Sequence, residues 1–168
     1  METTLENDIL VVDDSSTNLD YLTRILSRAG YKVRPAHNGE LALRSINVKQ
    51  PILILLDINL PGLDGFAVLK ILKENSKTQN IPVIIVSAES DPHSRIKGLQ
   101  LGAVDYICKP YYEEDILARI RVHAKLHIAL LELEAQNSNL RDQIILTNQE
   151  EQKVKEHSES LRTLNATK

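Results

Sequence analysis

Five short strand-like segments, most of them apolar and each followed by a stretch with helical spacing, constrain what the first 125 residues can fold into. Ile9–Val12 is too brief for a helix and reads as a buried strand. Ser16–Gly30 then places Leu19, Leu22, Ile25 and Leu26 on one helical face, with Gly30 where a C-terminal cap belongs. The pattern repeats: a weaker strand at Lys32–Pro35 and a helix at Asn38–Val48, then the most apolar strand at Ile52–Leu56 and a helix at Phe66–Glu74. A β-branched strand at Pro82–Val86, a helix at Asp91–Leu101 and a last strand at Tyr106–Cys108 complete it. Such alternation predicts a parallel sheet covered by helices on both faces and joined by right-handed crossovers. The expected fold class is α/β, a doubly wound five-stranded parallel sheet of flavodoxin-like type.

Sheets of this kind bind ligands beyond the carboxyl ends of their strands. Asp13 and Asp14 follow the first strand, Asp57 closes the third, Ser87 follows the fourth, and Lys109 and Pro110 follow the fifth. Clustered carboxylates need a counterion, and a hard divalent cation such as Mg2+ takes oxygen ligands. One carboxylate can then attack phosphorus to give an aspartyl phosphate, while a metal and a lysine neutralise the phosphoryl oxygens. Asp57, alone on the central strand, is the natural nucleophile; the adjacent Asp13 and Asp14 suit metal binding.

Four motifs carry a resemblance. Val-Val-Asp-Asp at 11–14, Leu-Leu-Asp-Ile-Asn-Leu-Pro-Gly-Leu-Asp-Gly-Phe at 55–66, Ile-Val-Ser-Ala at 85–88 and Asp-Tyr-Ile-Cys-Lys-Pro at 105–110 match in order and spacing. Together they resemble the receiver domain of two-component response regulators, over roughly residues 8–125. The resemblance implies phosphorylation of Asp57 by a sensor histidine kinase, with Mg2+ held by Asp13, Asp14, Asp57 and the backbone carbonyl of Asn59. It further implies that Ser87 and Lys109 contact the phosphoryl group, that Lys109–Pro110 is a cis peptide, and that Ser87 and Tyr106 form the conformational switch. The surface altered by switching would be the fourth helix, the last strand and the start of the last helix.

Each residue also has a plainer reading. Asp13, Asp14 and Asp57 fit turns or helix caps, Ser87 a strand-end hydroxyl, Lys109 a solvated surface cation and Tyr106 a half-buried aromatic. Cys108 fits a small buried apolar residue. Occupation of successive strand ends is what outweighs these readings. An FMN-binding flavodoxin shares the topology, but Asp13 and Asp14 would repel a phosphate cradled by Ser15–Asn18. An Mg2+-dependent phosphohydrolase with an aspartyl-phosphate intermediate is the alternative reading. It usually wants an acid/base Asp two residues past the nucleophile, where this chain has Asn59.

From Glu113 to Lys168 there is no Gly, Pro or aromatic residue, which reads as one extended helix. Leu126, Leu133, Leu140, Thr147, Val154 and Leu161 recur every seven residues. A second row, Leu130, Asn137, Ile144, Glu151, Ser158 and Asn165, lies four residues on. The pattern predicts a coiled coil and a parallel homodimer, with Leu126, Leu130, Leu133, Leu140 and Ile144 in the seam and Asn137 setting register. The seam is imperfect after Leu146, and a solvated, frayed tail from Glu150 is the competing expectation. Residues 1–125 are thus read as a receiver and 126–168 as a coiled-coil helix leading toward an output module in a longer chain.

Charge and composition exclude other classes. A net charge of −3 without a basic segment, and 4% aromatics with no Trp, argue against direct nucleic-acid binding. The longest apolar runs are far shorter than a membrane span, and the acidic N-terminus lacks signal-peptide character. One cysteine permits no internal disulfide. A cytoplasmic protein is expected.

Overall fold

A computed structural model describes residues 7–166. The acidic start read for signal-peptide character, residues 1–6, and residues 167–168 lie outside the described residues. The order of elements is β1 (Asp8–Val12), α1 (Ser16–Arg28), β2 (Lys32–Ala36), α2 (Gly39–Val48), β3 (Leu53–Leu56), α3 (Gly65–Glu74), β4 (Val83–Ser87), α4 (Pro92–Gln100), β5 (Asp105–Cys108) and α5 (Glu113–Ala166). The strands form one parallel sheet in the order β2-β1-β3-β4-β5. Order reverses between β1 and β3, so the loops after these two strands diverge and leave a crevice at their carboxyl ends. The expected fold class is therefore the observed one.

Alternation along each strand sends successive side chains to opposite faces. Ile9 and Val11 of β1, Leu53 and Leu55 of β3, Ile84 and Val86 of β4 and Ile107 of β5 pack with Leu22 and Ile25 of α1 and Ile116 and Ile120 of α5. The intervening residues Leu10, Val12, Ile54, Leu56, Ile85 and Tyr106 pack with Ala42 and Ile46 of α2 and Val68, Leu69 and Leu72 of α3. Edge strand β2 carries Pro35, which a central strand does not tolerate.

Each of the first four helices starts on a side-chain cap supplied by the preceding loop. Ser15 accepts from Asn18 N–H, Asn38 from Leu41, Asp64 from Ala67 and Asp91 from Ser94. Helix α1 ends at Arg28, and Gly30 follows the Ala29 cap with φ +93°, the left-handed conformation glycine adopts without strain. Arg34 ties β2 to the end of α2, donating to Ser45 Oγ at 2.8 Å, to the Lys49 carbonyl at 2.8 Å and to Asp8 at 3.1 Å.

The described residues divide into two units at Ile128/Ala129. Helix α5 is continuous to Ala166, beyond the point at which fraying is one expectation of the sequence. Within residues 129–166 its polar face is laced by local bonds, among them Gln152 Nε2 to Glu156 Oε1 at 2.9 Å. No helix among the described residues is long and apolar enough to cross a membrane.

Ile54 is fully buried at the centre of β3. Ile54→Ala should lower unfolding free energy by about 2–5 kcal/mol, read as a fall in the urea midpoint; an unmoved midpoint would mean the sheet is not the core.

Candidate functional site

The plain reading of Asp13 and Asp14 as helix caps fails on geometry, because Ser15 supplies the cap of α1. Asp13 is buried and instead organises the loop: Oδ1 accepts from Ser15 N–H at 2.9 Å, and Oδ2 accepts from Asn18 Nδ2 at 3.1 Å. Asp57 leaves the end of β3, where its own N–H donates to the Val12 carbonyl at 2.9 Å, and its carboxylate is 7% exposed as a residue. Asp57 Oδ1 accepts from the Asn59 N–H at 3.1 Å. Asp14 stays exposed beside them, and one oxygen from each of Asp13, Asp14 and Asp57 falls within 4.8 Å of the others.

Lys109 closes the cluster from β5. Its Nζ donates to Asp13 Oδ2 at 2.7 Å and to Asp57 Oδ2 at 2.9 Å. Burial alone would lower the ammonium's pKa; the hydrogen bonds and charges of Asp13 and Asp57 outweigh it and hold the pKa above its ordinary value. The Lys109–Pro110 peptide is cis, as the family resemblance implies. Three carboxylates face a single ammonium, so acceptor oxygens are in excess. An all-oxygen set of this kind fits a hard cation such as Mg2+.

Ser87 is fully buried at the end of β4, and its Oγ accepts from the Glu89 N–H at 3.2 Å. Tyr106 is also buried, 3% exposed, so the half-exposed reading of its ring is replaced by an inward one. Its hydroxyl donates to the Glu89 carbonyl at 2.8 Å, which bridges β5 to the β4–α4 loop. Burial pushes the Tyr106 phenol up, with the Ser87 hydroxyl pulling the other way. Leu126, Leu130, Leu133, Leu140 and Ile144 are all exposed.

Two features escape a reading by residue type. A Cβ at Gly65 would overlap the Asp57 carbonyl oxygen, so α3 begins in contact with the backbone that carries the carboxylate. The signal was present as Asp64-Gly65 at the start of α3. The other is a cleft of about 490 Å³ beside Lys109, lined by Asn18, Tyr21, Ala88, Lys109, Pro110 and Tyr111. Nothing in sequence spacing brings Tyr21 of α1 toward Tyr111, yet their ring centroids lie 6.4 Å apart.

Residues 9–121 match the family model of the response regulator receiver domain. The chain is 34% identical over 143 residues to the alkaline phosphatase synthesis transcriptional regulatory protein PhoP of Bacillus subtilis, covering 84% of this chain and 59% of PhoP. It is 36% identical over 133 residues to the response regulator PleD of Caulobacter vibrioides, covering 79% of this chain and 29% of PleD. A crystal structure of a CheY-like response regulator receiver domain protein from Methanospirillum hungatei superposes with a TM-score of 0.69 at 28% identity. That match covers 75% of this chain and 98% of the other. The chain thus spans just over half of PhoP and under a third of PleD.

Burial pushes the Tyr111 phenol up to about 12, with Tyr21 and Asp13 adding to the shift. A raised pKa means the folded state holds this proton more tightly than the unfolded state. Its contribution is complete below the ordinary tyrosine pKa of about 10 and is lost as pH rises through about 12. Tyr111→Phe should therefore lessen the fall in urea midpoint between neutral pH and the alkaline range. An equally steep fall in the variant would mean that Tyr111 is not the late-titrating group.

Proposed function

Because the chain belongs to the response regulator receiver family, we propose that it accepts a phosphoryl group on Asp57 from a sensor histidine kinase. The observation that supports this most is the Lys109 ammonium, within hydrogen-bond distance of both Asp13 and Asp57. A carboxylate oxygen of Asp57 forms the new bond to phosphorus as the phosphorus–nitrogen bond to the kinase histidine breaks. Asp13, Asp14, Asp57 and the backbone carbonyl of Asn59 would hold Mg2+, which supplies charge neutralisation for the phosphoryl oxygens when bound. Lys109 stays protonated and moves from bridging the carboxylates to pairing a phosphoryl oxygen. Ser87 takes another phosphoryl oxygen, and Tyr106 holds the inward position that stabilises the shifted β4–α4 loop. The chain works in the cytoplasm, where such a kinase presents its phosphohistidine.

The phosphohydrolase alternative is not favoured. Asn59 offers no acid/base carboxyl two residues past Asp57, and the structure ties its N–H to the nucleophile.

Output runs through α5. Leu126, Leu133 and Leu140 form one exposed row and Leu130 and Ile144 flank Asn137 in another, offset by four and three residues as in a heptad seam. Each of these side chains is about half exposed or more. A second copy, parallel and in register at Asn137, would bury them. Because PhoP and PleD are longer than this chain, the helix would lead to an output module in a longer protein or act by dimer state alone.

Asp57→Asn should abolish both phosphorylation and Mg2+-dependent binding of beryllofluoride, a phosphoryl mimic, without unfolding the protein. Phosphorylation of that variant at another residue would defeat the assignment. Leu133→Glu with Leu140→Glu should convert a dimer to a monomer by light scattering, and a dimer that survives both would place the contact elsewhere.

A further inference from the structure

Asp105 and Tyr106 are neighbours on β5, so their side chains point to opposite faces of the sheet. Tyr106 enters the core beside α3, whereas Asp105 faces α5. The Asp105 carboxylate does two things at once. Oδ1 accepts from the backbone N–H of Tyr106 at 2.8 Å, and both oxygens accept from Arg119 Nη1 of α5, at 3.0 and 2.9 Å. Arg119 is itself oriented by its own helix, since its Nε donates to Asp115 Oδ1 at 3.0 Å. His123, one turn further along α5, approaches the same carboxylate at 3.6 Å. Burial disfavours the charged form of Asp105, and the hydrogen bonds from Arg119 and the Tyr106 N–H outweigh it, holding its pKa below the ordinary carboxylate value.

From this geometry we infer that Asp105 and Arg119 are the coupling residues of the protein, linking the peptide of the switch residue Tyr106 to helix α5. The inference rests on the receiver reading of Tyr106 and adds the route by which its position reaches the output helix. Apolar packing of Ile107 against Ile116 and Ile120 is non-directional and tolerates small rotations of the strand. The carboxylate contact is directional: a turn of the Asp105–Tyr106 peptide re-aims the oxygens that hold Arg119. Arg119 is partly exposed, at 38% of its side chain, so the pair contributes little to stability and its removal leaves the fold standing. A coupling role is then separable from a structural one.

The test is hydrogen exchange read by mass spectrometry on the whole chain with Mg2+, before and after beryllofluoride. In wild type, exchange should change in β5 and in residues 113–128 of α5 together. In Asp105→Asn and in Arg119→Gln, beryllofluoride should still bind and β5 should still respond, while the α5 response is lost. Arg119→Lys, which keeps a cation within reach of Asp105, should restore part of it. A full α5 response in both neutral variants overturns the inference, and so does a wild type whose β5 responds without α5. Loss of beryllofluoride binding in these variants also overturns it, because the pair would then act on the acidic site. Failure of wild type to bind beryllofluoride is a different result and strikes the phosphoacceptor reading itself.

Discussion

The Lys109 ammonium joins segments that sequence keeps far apart. Asp13 follows β1, Asp57 closes β3 and Lys109 follows β5, and the two short contacts from Nζ span 96 and 52 residues of chain. Neither carboxylate could be buried at low cost without a counter-charge, and the lysine could not be half-buried without them. The three strand ends are therefore mutually dependent. The parallel sheet is what makes this affordable, since it delivers all of its carboxyl ends to one edge with no further folding of the loops. Gly65 completes the arrangement by letting α3 start against the Asp57 carbonyl.

The fold was largely legible because the three central strands, β1, β3 and β4, are mostly aliphatic runs buried on both sides, and each of the first four helices begins with a capping side chain. Leu53–Leu56 and Val83–Ser87 carry no ambiguity of that kind. The acidic site was legible for the same reason, as chemistry placed at strand ends. What escaped the sequence depends on helix rotation. Nothing in the spacing of Arg119 and His123 marks them as neighbours of Asp105, and only the packing of Ile116 and Ile120 against the sheet turns them toward it. The Tyr21–Tyr111 contact is hidden similarly, since it joins α1 to the loop before α5 across 90 residues.

The chain divides its apolar surface between two uses. Up to Ile128 one apolar face of α5, Ile116, Ile120 and Ala124, serves the sheet, while Val122 and Leu126 already point outward. From Leu130 to Ile144 the apolar side chains are exposed at heptad spacing, and the same helical backbone changes from packing against its own sheet to presenting a seam. No glycine or proline interrupts that change of use, so the hydrogen-bonded ladder is unbroken from Glu113 to Ala166.

Helix α4 differs from the others in how it is seated. Its only buried residue is Gly98, and a Cβ there would lie 2.5 Å from Ile85 Cδ1 and 3.4 Å from Tyr106 Cδ2. The other helices interlock with the sheet through several large side chains, whereas α4 touches it with bare backbone. It has no knobs to withdraw before sliding, and few buried apolar contacts set the free energy of its local opening. Amide protection should accordingly be graded across the molecule, highest in β1 and β3 and lowest in α4 among the helices of the sheet. The Tyr106 ring, lying directly beneath Gly98, works as the shim on which that loosely seated helix rests.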